Sequence, residues 1–462
     1  MTRILDCTLR DGGYYNDWQF PLDIVRRTVQ SLHSAGVDII EIGLKSAFDE
    51  RTSGLFKYCN EDYLGFLDEF PDACFSFMLN VREFIRDGKL DEAGLDRIIR
   101  PGDESRFAMC RLAAHYGDIE LVPDFVRYFR NEGYQVGVNL MGISLLDEAK
   151  IAHAMSLVQD MKPDVFYVAD SFGSMLPQDV SELVGVLRKH YQGSIGIHTH
   201  DNQGLAFANT LRAMDEGVEY IDATLTGMGR GAGNLATEQI LLWMQNRGDE
   251  SERYHSSRVL DVIHDFFQPL KEQYRWGFNY VYMLSGLSNT HPVYCMELCD
   301  GNRFSMSNIS AILGNIPQEK RAAFSREALG EAINATPRGG GSGDELLPVA
   351  DLAAIPADGP ACLVVSTGPG IEAFSDAIDN LLRRRGLPVL ECNDTGILHS
   401  FPERLGVVLN AMRLGEITRK DSGMPRRIVT GEKRFESAID CELLHFPFRI
   451  GPHEIDNDSI SL

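Results

Sequence analysis

The sequence predicts a (β/α)8 barrel, followed by a helical region and a small C-terminal α/β domain. Three observations predict it. Over roughly the first 250 residues, short apolar runs alternate with amphipathic helical runs, the pattern of strands that each return through a helix. Polar residues gather just after the first, fifth, sixth, seventh and eighth apolar runs, as on the active face of a barrel. No glycine fingerprint of the dinucleotide-binding kind follows the first strand, which disfavours the structural alternative, a doubly wound open sheet.

The predicted strands are Ile4–Thr8, Ile39–Leu44, Cys74–Leu79, Ser105–Leu112, Gln135–Met141, Val165–Ala169, Ser194–His200 and Tyr220–Leu225. Helices are predicted over Pro21–Ala35, Glu120–Glu132, Leu146–Asp160, Pro177–His190, Leu205–Glu216 and Leu235–Asn246. Pro21 and Pro177 suit a first turn, where a missing N–H costs nothing. Asp147 and Glu148 place acid at the positive end of a helix dipole. The third crossover, from about Val81 to Pro101, shows no clear helical period. From about 251 to 345 the pattern changes: an amphipathic helix over Val259–Arg275, an aromatic stretch from Trp276 to Leu284, then helical patterns at Ile309–Leu313 and Gln318–Asn334. The run Gly339-Gly340-Gly341-Ser342-Gly343 reads as a flexible linker.

A third region starts near Gly359. Ala361–Ser366 and Leu387–Cys392 read as strands around a helix, Ile371–Arg385, with Gly368-Pro369-Gly370 as the turn between. A glycine turn at a helix N-terminus can take an anion such as a phosphate, although such turns are often only structural. Gly406–Ala411 and Arg427–Thr430 add short strands. The domains expected are therefore 1–250, 251–345 and 359–462.

The net charge of −23 argues against a nucleic-acid surface and against binding anionic membranes by charge. Nine scattered cysteines show no zinc-ribbon spacing, so a reduced, cytoplasmic protein is expected. No signal peptide and no membrane span is expected either.

The most informative motif is Ile197-His198-Thr199-His200-Asp201-Asn202. Strand side chains alternate faces, so His198 and His200 point the same way and can share one metal ion. Upstream, Thr8-Leu9-Arg10-Asp11-Gly12 places a carboxylate and a guanidinium after the first strand. Asp11 completes a facial set of ligands, and Arg10 can hold a ligand oxygen and the negative charge that develops on it. Tyr14 follows two glycines, so its phenol can reach the pocket. The loop Gly227-Met228-Gly229-Arg230-Gly231-Ala232-Gly233-Asn234 must approach something closely or move. Asn234 reads equally well as an N-cap of the next helix or as a contact to the ion. Asn139 and Ser171 stand on the same rim, where Ser171 can donate to a substrate carboxylate. Lys45 is a candidate for substrate binding, with a salt bridge to Glu41 as the plainer reading.

Thr8-Leu9-Arg10-Asp11-Gly12, His198-Thr199-His200-Asp201-Asn202 and Gly231-Ala232-Gly233-Asn234-Leu235-Ala236-Thr237-Glu238 resemble the metal-dependent aldolase and lyase superfamily. That group includes 4-hydroxy-2-oxovalerate aldolases, hydroxymethylglutaryl-CoA lyases and isopropylmalate synthases. The resemblance spans about residues 1–245. It implies a TIM barrel with a divalent metal on Asp11, His198 and His200, Asn234 as a further contact, and Arg10 on the enolate. The loop after strand eight lacks the cysteine of the hydroxymethylglutaryl lyases. Gly13-Tyr14 replaces the Glu-Gln of the synthases. Tyr14 also stands where the hydroxyoxovalerate aldolases carry a histidine, so the general base is open between Tyr14 and a metal-bound water. Those aldolases use a tyrosine from beyond the barrel, and Tyr282 is the candidate for it.

The reaction expected is cleavage or formation of a carbon–carbon bond through a pyruvate-like enolate, with Mn2+ or Mg2+ as cofactor and a 2-oxo acid and an aldehyde as partners. The alternatives are an acyl-CoA-dependent condensing acyltransferase and a non-catalytic barrel whose C-terminal domain binds a nucleotide or partner. Assembly as a homo-oligomer is left open.

Overall fold

The computed structural model describes residues 2–47, 53–247, 252–299, 304–321 and 323–336, and five strands beyond them. The chain divides into two compact units, 1–338 and 339–462.

In the first unit eight parallel strands close into a barrel. They are β1 (Arg3–Asp6), β2 (Ile39–Leu44), β3 (Phe75–Asn80), β4 (Met109–Ala114), β5 (Gln135–Met141), β6 (Val165–Asp170), β7 (Ile195–Thr199) and β8 (Tyr220–Ala223). Each pairs with its sequence neighbours, and β8 closes onto β1 with Arg3 opposite Tyr220 and Asp6 opposite Ala223. The doubly wound alternative is thereby excluded. All eight predicted strands are present, with shifted ends. The fourth starts late, because Ser105 and Arg106 are tied to the Glu61 carboxylate in the crossover between β2 and β3. The first ends early, because Asp6 Oδ1 accepts the Thr8 N–H at 3.0 Å and starts a helical turn, Thr8–Asp11.

Helices run over Leu22–Ser34, Val122–Asn131, Glu148–Met161, Pro177–His190, Ala206–Asp215 and Thr237–Gln245. Asp147 caps one of them by accepting the Lys150 N–H at 2.9 Å. The third crossover has no long helix. Its chain turns through a hairpin, Ile85–Arg86 against Lys89–Leu90, whose two central residues, Asp87 and Gly88, both have positive φ, the geometry that an Asp-Gly pair favours. One helical turn, Glu92–Leu95, follows.

Alternation divides the strand residues between two environments. Ile40, Phe77, Leu112, Val138 and Val168 face outward to the helices. Leu5, Ile39, Met109, Val165 and Tyr167 fill the lower interior. The Tyr167 ring fits only because β7 has a glycine beside it: a Cβ on Gly196 would stand 2.2 Å from the ring. Above this layer the interior turns ionic, with Glu41, Arg111, Asp222 and His198 all buried.

After the barrel, a helical run consists of Leu260–Val262, a π turn Ile263–Phe267 and Gln268–Tyr274. Helices Tyr280–Leu287, Pro292–Cys299, Met306–Asn315 and Arg326–Ala335 follow around their own small core. No helix among the described residues is long and apolar enough to cross a membrane.

In the second unit the five strands Leu363–Ser366, Val389–Cys392, Leu405–Val408, Arg427–Thr430 and Glu442–His445 form a parallel sheet in sequence order. Glu442–His445 is a strand that the sequence reading does not contain. The predicted linker at Gly339–Gly343, the turn at Gly368–Gly370 and the helix over Ile371–Arg385 lie outside the described residues.

Candidate metal centre and pocket

The C-terminal ends of the strands open on a pocket whose lining includes Arg10, Asp11, Tyr14, Asn139, Ser171, His198, His200 and Arg230. At its floor the ligand atoms of Asp11, His198 and His200 lie within 4.8 Å of one another. The two imidazoles, on one face of β7 and its extension, have ring centroids 4.9 Å apart.

Each histidine is oriented by its other nitrogen. His200 Nδ1–H donates to the Asp170 carbonyl at 3.0 Å, which leaves Nε2 unprotonated for an ion. Burial, with His198 adding to it, pushes the His200 imidazole down to about 3, so it stays neutral. His198 Nδ1 lies 3.0 Å from Asp222 Oδ2, while its Nε2 is 3.6 Å from Asp11 Oδ2. Burial alone would raise the Asp11 carboxyl. Arg10, His198, His200 and Arg230 together hold it well below the usual carboxylate range.

A ring of ion pairs carries the floor. Arg10 Nη1 donates to Asp11 at 2.7 Å and its Nε to Glu41 at 2.8 Å. Glu41 turns its other oxygen to Arg111 Nη1 at 3.1 Å, and Arg111 Nη2 donates to the same Asp222 oxygen that faces His198. The Arg111 guanidinium also stacks 4.0 Å from the Tyr167 ring centroid. The ring thus runs from Asp11 through Arg10, Glu41, Arg111 and Asp222 to His198. Sequence reasoning missed Arg111 and Asp222 and gave Glu41 another partner. The signal was present in each case: one charged residue inside an otherwise apolar strand.

The loop after β8 folds over this floor. Gly227 and Gly233 meet so closely that a Cβ on Gly233 would stand 1.9 Å from the Gly227 carbonyl. Lys271 Nζ and Trp276 Nε1 both donate to the Thr226 carbonyl, at 3.0 and 3.1 Å, and fix the loop to the helical extension. Asn234 is not an N-cap. The helix begins at Thr237, and the Asn234 amide instead donates to Asp11 Oδ2 and the Met228 carbonyl. Its Oδ1 is buried without a hydrogen-bond partner. Two imidazoles, a carboxylate and an orphaned amide oxygen form a donor set that fits a divalent cation.

On the rim, Ser171 Oγ accepts the Gly142 N–H at 2.9 Å, so its own O–H is available to a ligand. Asn139 Oδ1 is buried and unpartnered. Tyr14 stands at the mouth, with Arg230 over its ring at 4.4 Å. Three predicted residues are not on the lining: Asn234, which reaches Asp11 from behind, Lys45 and Tyr282. Lys45 is buried outside the barrel, bonded to Glu61 at 2.8 Å between the Phe77 and Phe107 rings. A bulge between Glu41 and Gly43 shifts the register of β2, and the shift takes Lys45 off the face that Glu41 shares with the pocket. Tyr282 packs behind the loop, its ring where a Cβ on Gly231 would meet it at 3.2 Å, and burial pushes its phenol up to about 12.

Comparison with known proteins agrees with this geometry. The chain is 32% identical to oxaloacetate decarboxylase of Mycobacterium tuberculosis over 253 residues, covering 53% of this chain and 70% of that protein. It is 30% identical to 4-hydroxy-2-oxovalerate aldolase of Pelotomaculum thermopropionicum, covering 53% of this chain and 70% of that one. The crystal structure of the N-terminal domain of a candidate aldolase from Bacteroides vulgatus superposes with a TM-score of 0.59 at 31% identity, covering 65% of this chain and 98% of that domain. The HMGL-like family model matches residues 117–265, from before β5 to beyond β8. By the identity and reach of these matches, the chain belongs to the HMGL-like family.

Proposed function

We propose that this chain is a divalent-metal-dependent carbon–carbon lyase of the aldolase type that acts on a 2-oxo acid. The observation that carries the reading is the convergence of Asp11, His198 and His200 on the pocket floor beside Arg10. These three residues would hold Mn2+ or Mg2+, with the Asn234 amide as a further contact that also orients the Asp11 carboxylate. The bound ion would act as a Lewis acid on the 2-oxo acid.

The chain's own groups do the rest. Arg10 is pinned through Nε and Nη1, so its remaining edge is fixed towards the pocket and stabilises the enolate oxygen as charge develops there. Ser171 donates to the substrate carboxylate, and the Asn139 amide lies on the same wall. Tyr14, on the pocket wall beneath Arg230 and open to solvent, relays the 4-hydroxyl proton on cleavage by passing its own phenolic proton to water, and runs the relay backwards on condensation. An aldehyde is the second product or substrate.

The test is exchange of deuterium into the methyl group of pyruvate, with and without added Mn2+. Exchange that requires the ion, and that His200→Ala abolishes together with ion binding, supports the proposal. Full ion occupancy in both His198→Ala and His200→Ala removes it.

A further inference from the structure

The pocket has two guanidiniums on its lining, and their surroundings differ. Arg10 is matched by Asp11 and Glu41. Arg230 lies at the mouth, partly exposed, on the loop that Lys271, Trp276 and Tyr15 fasten in place. Its contacts are the Tyr14 ring below and His291 Nε2, 3.4 Å from its Nη1. Among the described residues no carboxylate lies within ion-pair distance of it. The carboxylates on the lining are Asp11 and Glu83. Asp11 is taken by Arg10 and Asn234, and Glu83 accepts the Ala47 N–H at 2.8 Å.

His291 cannot supply a matching charge. Burial and the neighbouring Arg230 hold its imidazole down to about 3, so it is a neutral companion. A guanidinium that is stacked, loop-fixed and unmatched presents its fork to whatever enters above the metal floor. A planar fork of this kind suits a carboxylate.

We infer that Arg230 binds a second anionic group on the substrate, so that the 2-oxo acid taken by this pocket carries a carboxylate at its far end. The inference rests on the aldolase reading above and names its substrate class: 2-oxo dicarboxylates, or condensation products whose aldehyde half carries the acid. The 2-oxo acid end lies at the metal floor, and the distal carboxylate lies against Arg230 at the mouth.

The test needs no turnover. Two unreactive five-carbon probes, 2-oxoglutarate and 2-oxopentanoate, differ in having a carboxylate or a methyl at the far end. Their affinities for the full-length, Mn2+-loaded protein are measured by calorimetry. A charge-assisted bond predicts a preference of about tenfold or more for 2-oxoglutarate. Arg230→Gln brings the two affinities together, and Arg230→Lys restores part of the gap. Equal affinities in the wild type overturn the inference even if the variant does not fold, and so does a preference that survives Arg230→Gln. Failure of both probes to bind, together with loss of pyruvate exchange, overturns the aldolase reading itself. Exchange with equal probe affinities overturns only the role of Arg230.

Discussion

Asp222 and His198 meet at 3.0 Å inside the barrel, and the same Asp222 oxygen receives Arg111. The imidazole therefore has a carboxylate on Nδ1 and the pocket on Nε2. Arg111 and His198 together draw the Asp222 carboxyl down against the burial that would raise it.

Asp222→Asn keeps the shape and removes the charge. The imidazole loses the anion that fixes its tautomer, and Arg111 is left with Glu41 alone. Ion affinity is expected to fall about 10- to 100-fold. A Mn2+ titration of the purified variant checks this, and an unchanged affinity would show that Asp222 serves only Arg111.

Arg10→Lys keeps a positive charge but cannot reach Asp11 and Glu41 at once with a planar fork. Turnover is expected to drop about a hundredfold while ion binding holds. The kcat and the ion stoichiometry of the same preparation decide it.

Lys45 and Glu61 form an ion pair with both side chains 1% exposed. Lys45→Ala strands the Glu61 carboxylate, still held by Ser105 and the Arg106 N–H. A loss of about 3–5 kcal/mol in unfolding free energy is expected. Urea unfolding measures it. Because Lys45 lies outside the pocket, substrate affinity should stay near wild type in whatever fraction folds.

The His291 imidazole sits at about 3 in the folded chain, below its ordinary value near 6.5. Folding therefore favours the neutral form. Its contribution to stability is complete above about pH 6.5 and is lost as pH falls towards 3. Between pH 7.5 and 5 the wild type should lose about 1–2 kcal/mol more than His291→Gln. Matched denaturation curves at the two pH values test the sign.

The barrel and the grouping of Asp11, His198 and His200 were legible because their signals are local. The His-x-His pair depends only on strand alternation, and Arg10-Asp11 on adjacency. The ring behind them was not legible in the same way. Glu41, Arg111 and Asp222 are each a lone charge in an apolar run, and what joins them is closure of the barrel, which brings residues 70 and 111 positions apart into contact. Lys45 was misplaced for the opposite reason. Its place at the end of the second strand gave no sign of the bulge that turns it away from Glu41. Arg230 was read only as part of a glycine-rich loop, because the absence of a carboxylate within ion-pair distance of it among the described residues is a three-dimensional fact.

The ionic ring also sets an order of arrival. Two guanidiniums, Arg10 and Arg111, stand against three carboxylates, Asp11, Glu41 and Asp222. Counted over these five side chains, the floor carries one unbalanced negative charge. A 2-oxo acid entering first meets like charge at close range in a poorly solvated space. A divalent cation reverses the sign, and an anion arriving second then neutralises the floor. On the aldolase reading, the floor therefore favours the cation before the substrate, whatever Arg230 attracts at the mouth. By reciprocity, each addition of substrate must tighten the hold on the cation by the same factor.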